Sequence, residues 1–280
     1  ANLETLFGFQ FVSSELKVGE FRIDTLAYDE SSNAFVIIEY KRGSSYSVVD
    51  QGYSYLSTMV NNKAEFILEY NEKTGNALKR NGVDWASSRV VFVAPSFNSY
   101  QRNSINFSGI PFELWEIRKF EKGLVTLDRL ESSSSENIEK LVSKDDQSVI
   151  SKVNSEVKTT TLEQHEKAMD DSQRKLWGAL KERLRQLGGD GFYPQKNYIC
   201  FKNEGTGVCF IGFRKKQLNI EFARGNLKPD GATSKGFFTL DDPKKMAAEK
   251  DRKIGNMRRG TYELRMKDLK ELDYVMFLIE

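Results

Sequence analysis

Two short runs rich in Ile, Val, Phe and Tyr, residues 21–28 and 34–41, flank the polar segment Asp29-Glu30-Ser31-Ser32-Asn33. That pattern predicts an antiparallel hairpin. Its middle falls between Ser31 and Ser32, so Tyr28 faces Phe35 and Asp24 faces Glu39. Directly opposed residues share a face, with Cβ atoms about 4.5–5.5 Å apart. Lys41 lies two residues beyond Glu39 and points to the same face, with Arg22 opposite it. Toward the turn this face continues as Leu26, Tyr28, Phe35 and Ile37, while the other carries Ile23, Thr25, Ala27, Val36, Ile38 and Tyr40. Two largely apolar faces call for a sheet covered on both sides, as in α/β proteins.

The charged end of that face needs a reason. Two buried carboxylates repel and resist joint ionisation, and a divalent cation relieves this. Mg²⁺ takes oxygen ligands, keeps several waters and is usually held by one or two carboxylates plus a phosphate. A nearby lysine can stabilise charge that develops during reaction. Asp24 and Glu39 are therefore candidate ligands for Mg²⁺, with Mn²⁺ as a substitute, and the Tyr40 carbonyl is a candidate third ligand. The same spacing also suits a surface hairpin with a cross-strand ion pair, an arrangement that contributes little.

Residues 47–60, SVVDQGYSYLSTMV, fit an amphipathic helix with Val48, Tyr55 and Met59 recurring at helical spacing and Gln51 and Tyr55 four apart. Residues 89–97 read as a buried strand broken at Pro95, and 111–120 as another, with Phe112, Leu114 and Glu116 alternating against Trp115 and Ile117. Strands alternating with helices predict a mixed α/β sheet.

Asp24 followed by Glu39-Tyr40-Lys41 resembles the D…(D/E)xK signature of the PD-(D/E)XK nuclease superfamily, and Gln51-Gly52-Tyr53-Ser54-Tyr55 is similar to the QxxxY motif of its RecB-like branch. The surrounding segment looks like a bacterial and archaeal group carrying a C-terminal domain of unknown function, often labelled "predicted transport protein". The resemblance covers about residues 1–130. It implies metal ligation by Asp24 and Glu39, a catalytic Lys41, and support from Gln51 and Tyr55. The proline usual before the aspartate is replaced by Ile23. An acidic ligand from the first helix occurs in parts of the superfamily, and Glu4 and Glu15 are both candidates.

At 280 residues the chain fits about two domains. Four serines at 132–135 mark the junction. We expect a nuclease-like domain over 1–130, a linker with a short helix over 131–160, and a smaller α+β domain over 161–280. Within the last, a helix is expected over 162–187 with Leu176, Leu180, Leu184 and Leu187 on one side, stopped by Gly188-Gly189. NYICF, VCFIGF, QLNIEF and TYELRMK read as strands, DDPKKMAAEK as a helix begun at Pro243, and 267–279 as a final helix.

No apolar run approaches the ~20 residues that cross a bilayer, and no basic-then-apolar segment opens the sequence. No membrane association and a cytoplasmic location are expected. Cys200 and Cys209 read as reduced core thiols. His165 is the lone histidine, expected at the surface, too few for a zinc site. No phosphate-binding glycine fingerprint occurs, so no nucleotide cofactor is expected.

Charge differs between the halves. From residue 161 onward there are 24 Lys+Arg against 18 Asp+Glu, and before it 18 against 22. The basic residues gather in Arg214-Lys215-Lys216 and in Lys250, Arg252, Lys253, Arg258 and Arg259. Such a patch suits nucleic acid, and suits an ordinary solvated face equally. Arg22, Arg258 and Arg259 are the candidate nucleic-acid contacts. The expected function is metal-dependent endonucleolytic cleavage of DNA, duplex or single-stranded, by a chain that can pair as a homodimer. The alternatives are an inactive nucleic-acid-binding module and an RNA nuclease.

Overall fold

A computed structural model describes residues 2–42, 48–105, 110–130, 147–157, 160–203, 205–227, 237–254 and 257–280. The chain divides into two compact units, Ala1–Thr159 and Thr160–Glu280. Both units are α/β in the broad sense: the first has a mixed sheet, the second an antiparallel sheet with helices.

The first unit runs α1 (Leu3–Phe7), β1 (Gln10–Val18), β2 (Phe21–Asp29), β3 (Ala34–Tyr40), α2 (Val48–Asn61), α3 (Lys63–Thr74), β4 (Arg89–Ala94), α4 (Ser99–Ser104), β5 (Phe112–Lys119), β6 (Val125–Leu130) and α5 (Gln147–Glu156). Its six strands lie side by side in chain order. β1, β2 and β3 form an antiparallel meander, β3, β4 and β5 are parallel, and β6 returns antiparallel. The β2–β3 register pairs Tyr28 with Phe35 as the turn position requires. Gly19, at φ +60°, lets a two-residue turn join Val18 to Phe21.

Each face of this sheet is buried. On one, Leu26, Tyr28, Phe35, Ile37, Phe92 and Leu114 pack under Leu56 and Met59 of α2 and Phe66 and Tyr70 of α3. On the other, Ala27, Val36, Ile38, Val91 and Val93 pack with Leu3 and Phe7 of α1 and with Phe9. Helix α2 comes unusually close to the sheet. A Cβ at Gly52 would lie 2.6 Å from the Phe112 ring. Only glycine permits that approach.

The α5 segment is a correction to the linker reading. Val153 and Val157 are buried in the first core, Tyr53 donates to Asn154 at 3.5 Å, and Lys63 pairs with Glu156. The helix thus belongs to the first unit, because its two valines complete the apolar cover of α2. The serine run at 132–135 lies outside the described residues.

The second unit runs α6 (Leu162–Ala168), α7 (Asp171–Leu187), β7 (Gly191–Pro194), β8 (Tyr198–Asn203), β9 (Thr206–Arg214), β10 (Gln217–Leu227), β11 (Ala248–Ile254), β12 (Met257–Met266) and α8 (Leu272–Ile279). Its antiparallel sheet has the order β11-β12-β10-β9-β8-β7. One face, with Ile199, Cys209, Ile211, Leu218, Ile220 and Leu264, packs on Leu176, Trp177, Leu180 and Leu184 of α7 and on Val275 and Met276 of α8. Cys200 and Cys209 are buried free thiols.

Five expectations for this unit are corrected. The helix over 162–187 is two helices, because Asp170 leaves helical geometry and accepts from Gln173 N at 2.8 Å in a capping box that starts α7. Leu187 falls past the buried stripe and is 44 % exposed. DDPKKMAAEK is not a helix: the Asp242 carboxylate accepts from Ala247 N at 2.7 Å, closing a turn through Lys245 at φ +53° that leads into β11. The final helix begins late, after a 3₁₀ turn at Leu269–Glu271. His165 is half-buried rather than superficial, since its Nε2 lies 2.6 Å from the Gln195 carbonyl and its ring is 5.4 Å from Phe213.

Candidate active site

The site forms where the β2–β3 ladder ends. The last paired residues are Thr25 and Ile38, so the register carries Asp24 opposite Glu39. Here a side chain replaces the main-chain ladder: Asp24 Oδ2 accepts the Tyr40 N–H at 3.0 Å. Parallel pairing with β4 continues past the same point, because Lys41 N–H donates to the Val93 carbonyl at 2.8 Å. Strand β3 is therefore held on both sides at Tyr40 and Lys41.

Helix α2 supplies the rest. Gln51 Nε2 donates to Glu39 Oε1 at 2.8 Å, and Tyr55 OH donates to Glu39 Oε2 at 3.0 Å. Gln51 Nε2 also lies 2.9 Å from Tyr55 OH, and the hydroxyl is 3.2 Å from the Arg22 carbonyl. Lys41 Nζ bonds to Gln51 Oε1 and lies 3.4 Å from Glu39 Oε1. It also stands 5.7 Å from the centre of the Phe92 ring. The Lys41 side chain is only 9 % exposed, and that of Glu39 only 10 %. One amide, Gln51, thus ties the lysine, the glutamate and the tyrosine into a single network. Four-residue spacing puts Gln51 and Tyr55 on one helix side, and the bare Cα of Gly52 lets that side approach.

The electrostatics are opposed. Burial raises the Glu39 carboxyl above its ordinary value, and Asp24 raises it further, while Tyr55, Lys41 and Gln51 pull it down. Burial also pushes the Tyr55 phenol up, with the Glu39 charge adding to the shift. Tyr55 is therefore a hydrogen-bond donor at neutral pH, holding the ionised form of Glu39.

Asp24, Glu39, Lys41, Gln51 and Tyr55 are brought together at this edge; Tyr40 reaches it through its backbone, with a side chain 49 % exposed. The Arg22 side chain is not part of the network, because its exposed guanidinium turns to Glu15. That contact also occupies Glu15. Glu4 sits on α1, whose Leu3 and Phe7 pack on the other face of the sheet. The side chains of Arg258 and Arg259 lie outside the described residues. Lys250 pairs with the buried Glu263.

Glu116 also lies near this edge, and the sequence showed it without a role. It sits on β5 two residues after Leu114, pairs in register with Ala94, and is 3 % exposed. Of its partners, Arg118 lies two residues along the same strand, while Arg102 on α4 reaches Glu116 only through the fold. The alternation Phe112, Leu114, Glu116 was the available signal, since it aims a carboxylate at the core face.

Among the described residues no three or more His, Cys, Asp and Glu side chains cluster to hold a metal. The site offers two carboxylates, both hard oxygen donors, and a raised Glu39 that an added positive charge would relieve. That donor set fits Mg²⁺, which keeps most of its waters and shares a phosphate with its substrate. It does not fit a soft or fully protein-caged ion.

Among the described residues no helix is long and apolar enough to cross a membrane. No family model matches the chain. Partial overlaps exist with a repair endonuclease of Pyrococcus abyssi, at 19 % identity over 34 % of this chain and TM-score 0.19, and with EndoMS in a complex with double-stranded DNA, at 19 % over 42 % and 0.22. Pyrococcus furiosus SfsA in complex with Ca²⁺ overlaps at 12 % over 43 %, TM-score 0.22. The chain spans about a third of the length of the repair endonuclease, 41 % of EndoMS and 53 % of SfsA. Overlap at this level carries no argument about activity. A full-length relative is much more similar: an uncharacterized protein of Haemophilus influenzae is 39 % identical over 280 residues, all of this chain and 88 % of that protein, and the chain belongs to one family with it.

Proposed function

We propose that the protein is a metal-dependent endonuclease of PD-(D/E)XK type that hydrolyses phosphodiester bonds of DNA. The observation that carries this reading is the convergence of Asp24, Glu39, Lys41 and Gln51 at one strand edge, in the motif order that the sequence resemblance assigns to metal binding and catalysis.

Asp24 and Glu39 would hold one Mg²⁺, with the Tyr40 carbonyl as a third donor. When bound, the ion supplies charge neutralisation at the phosphate and a more acidic water. The chain's own groups do the rest. Gln51 and Tyr55 hold Glu39 in one orientation and in its ionised form. Lys41 is aimed by Gln51 and kept nearly dry by Phe92, so its charge acts in a medium where electrostatics are strong. Hydrolysis adds water across one P–O bond, leaving a phosphate monoester and a hydroxyl. Lys41 stabilises the charge that builds on the phosphate oxygens during that exchange.

The test compares cleavage of plasmid, single-stranded DNA and RNA in Mg²⁺ and Mn²⁺. Lys41→Ala should cut DNA about 10²–10³-fold more slowly, the usual cost of removing one such stabilising group, while still binding Mn²⁺ by calorimetry. Asp24→Asn should lose the Mn²⁺ heat as well. Equal cutting by Lys41→Ala and the parent on every substrate overturns the assignment. Cleavage of RNA alone redirects the substrate class and leaves the site in place.

A further inference from the structure

Strand register places a second charged cluster beside the candidate site. Lys41 follows Tyr40, which pairs with Val93, so Lys41 stands level with Ala94, and Ala94 pairs with Glu116. Phe92, Ala94 and Leu114 belong to the same core face as the site. Lys41 and Glu116 therefore occupy one row, two strands apart, about 10 Å at ordinary strand spacing.

Glu116 is a buried anchor for two arginines. Its Oε1 accepts from Arg102 Nη2 at 2.7 Å and from Phe97 N–H at 3.1 Å, and its Oε2 accepts from Arg118 Nη2 at 3.0 Å. Arg102 Nε also donates to the Phe97 carbonyl at 2.9 Å. The glutamate side chain is 4 % exposed, but those of Arg102 and Arg118 are 49 % and 56 % exposed. Two guanidiniums against one carboxylate leave a net positive charge at the surface. With both carboxylate oxygens engaged, Glu116 is poorly placed to serve as a third metal ligand. Each guanidinium carries five N–H donors, and the bonds above engage two groups of Arg102 and one of Arg118. The remaining donors sit on side chains already fixed in place, so ordering them for a ligand costs little entropy.

We propose that Arg102 and Arg118 form a phosphate-binding pair that grips the DNA backbone next to the scissile bond. This rests on the nuclease reading of the Asp24–Lys41 site for its substrate, though the binding itself can be measured without cleavage. Planar, bidentate donors suit phosphate better than lysine does. At 3.4 Å of axial rise per charge on one strand, an offset of about 10 Å keeps the pair within three nucleotides of Lys41. The pair would therefore fix the register of the strand across Lys41 without touching the reacting atoms.

Removing the arginines alone would strand a buried carboxylate, so the test variant is Arg102→Gln/Glu116→Gln/Arg118→Gln, in which the amide still accepts from Phe97 N–H. Arg118→Gln alone is the second variant, since Arg102 stays to pair Glu116. Binding of a fluorescent duplex oligonucleotide to the full chain is followed by anisotropy as salt is raised, without divalent metal. The log–log slope should flatten by about 1.8 in the triple variant and about 0.9 in Arg118→Gln, at 0.9 per phosphate contact. Cleavage by the triple variant should show a raised KM with kcat kept, the mark of lost uniform binding. An unchanged slope in either folded variant overturns the proposal, as does an absence of duplex binding by the parent at low salt. Lys41→Ala separates the two readings: it should still bind duplex, with no more than the one contact of Lys41 itself (about 0.9) lost from the slope, and cut poorly. Flattened slopes in both variants, with a parent chain that binds duplex but cuts nothing, keep the arginine pair and remove the nuclease reading. Parental slopes in both variants with intact cleavage do the reverse.

Discussion

The two ends of the first unit's sheet both bury carboxylates, and they treat them differently. At the end where β4 and β5 begin, Asp29 and Glu113 share Arg89, which lies 2.8 Å from Asp29 and 3.0 Å from Glu113, and Arg129 stands 3.8 Å from Glu113. Trp115 Nε1 donates to Glu113 at 2.8 Å, Ser31 N–H donates to Asp29 at 2.9 Å, and Arg89 stands 5.0 Å from the centre of the Phe9 ring. At the end where β3 finishes, Glu39 meets Lys41, whose amine is partly given over to Gln51, while Asp24 accepts from the Tyr40 N–H. The Glu39 carboxyl is raised there despite three stabilising neighbours. A fork between two carboxylates is a stable structural joint. Two facing carboxylates with one lysine, paired with Glu39 and bonded to Gln51, make a site short of positive charge, a shortage that a divalent ion can fill.

The comparison breaks most sharply at Arg89. Arg89→Met takes from the buried Asp29 its arginine and leaves Glu113 with the more distant Arg129, which should cost about 3–5 kcal/mol. Urea unfolding should show that loss, while cleavage per folded molecule at the far end should hardly change. A loss of stability no larger than that of a surface substitution would show that the two ends are not different in kind.

Gly52 tests how the site end is assembled. Gly52→Ala gains up to about 1 kcal/mol of helix propensity, but forces a methyl group into the Phe112 ring, which is wedged at 4.9 Å from Tyr53 and 6.2 Å from Phe92. Overpacking of this kind costs about 1–3 kcal/mol, so a net loss of about 1 kcal/mol is expected. Displacing α2 also withdraws Gln51 from Glu39 and Lys41, so cleavage should fall beyond what stability explains. Parental cleavage in a folded Gly52→Ala chain would show that Gln51 needs no such close approach.

Glu39→Gln gives the smallest effect on stability, and its sign is the informative part. The folded Glu39 carboxyl holds its proton more tightly than the unfolded one at about 4.5. The parent therefore loses stability as pH rises from that value through the raised folded one, and carries the full penalty above it. The amide carries none. In metal-free buffer Glu39→Gln should thus be more stable than the parent at pH 7, with the gap closing toward pH 4 in thermal melts, while cleavage is lost. A variant less stable than the parent at pH 7 would place Glu39 with Asp29 and Glu113 as a structural acid.

Much of the candidate site was legible because it is local. Asp24, Glu39 and Lys41 lie on one hairpin whose turn sets the register, and a one-residue slip would have sent all three to the other face. Gln51 and Tyr55 follow on one helix side. The capping signal Asp170-Asp171-Ser172-Gln173 was equally present in the sequence, yet the leucine periodicity of 176–187 masked the break it makes. In DDPKKMAAEK the helix-start signal at Pro243 competed with an Asp242 side chain that closes a turn instead. By itself, then, the sequence determined the hairpin, its charged end and the helix that follows, since period-two and period-3.6 patterns and turn chemistry act over a few residues. The tertiary structure alone decided that α5 caps the first core, that Phe112 meets Gly52, and that Glu116, with Arg102, comes level with Lys41. Those contacts join separate segments of the chain, and the parallel stacking of β3, β4 and β5 is what sets Glu116 in the row of Lys41.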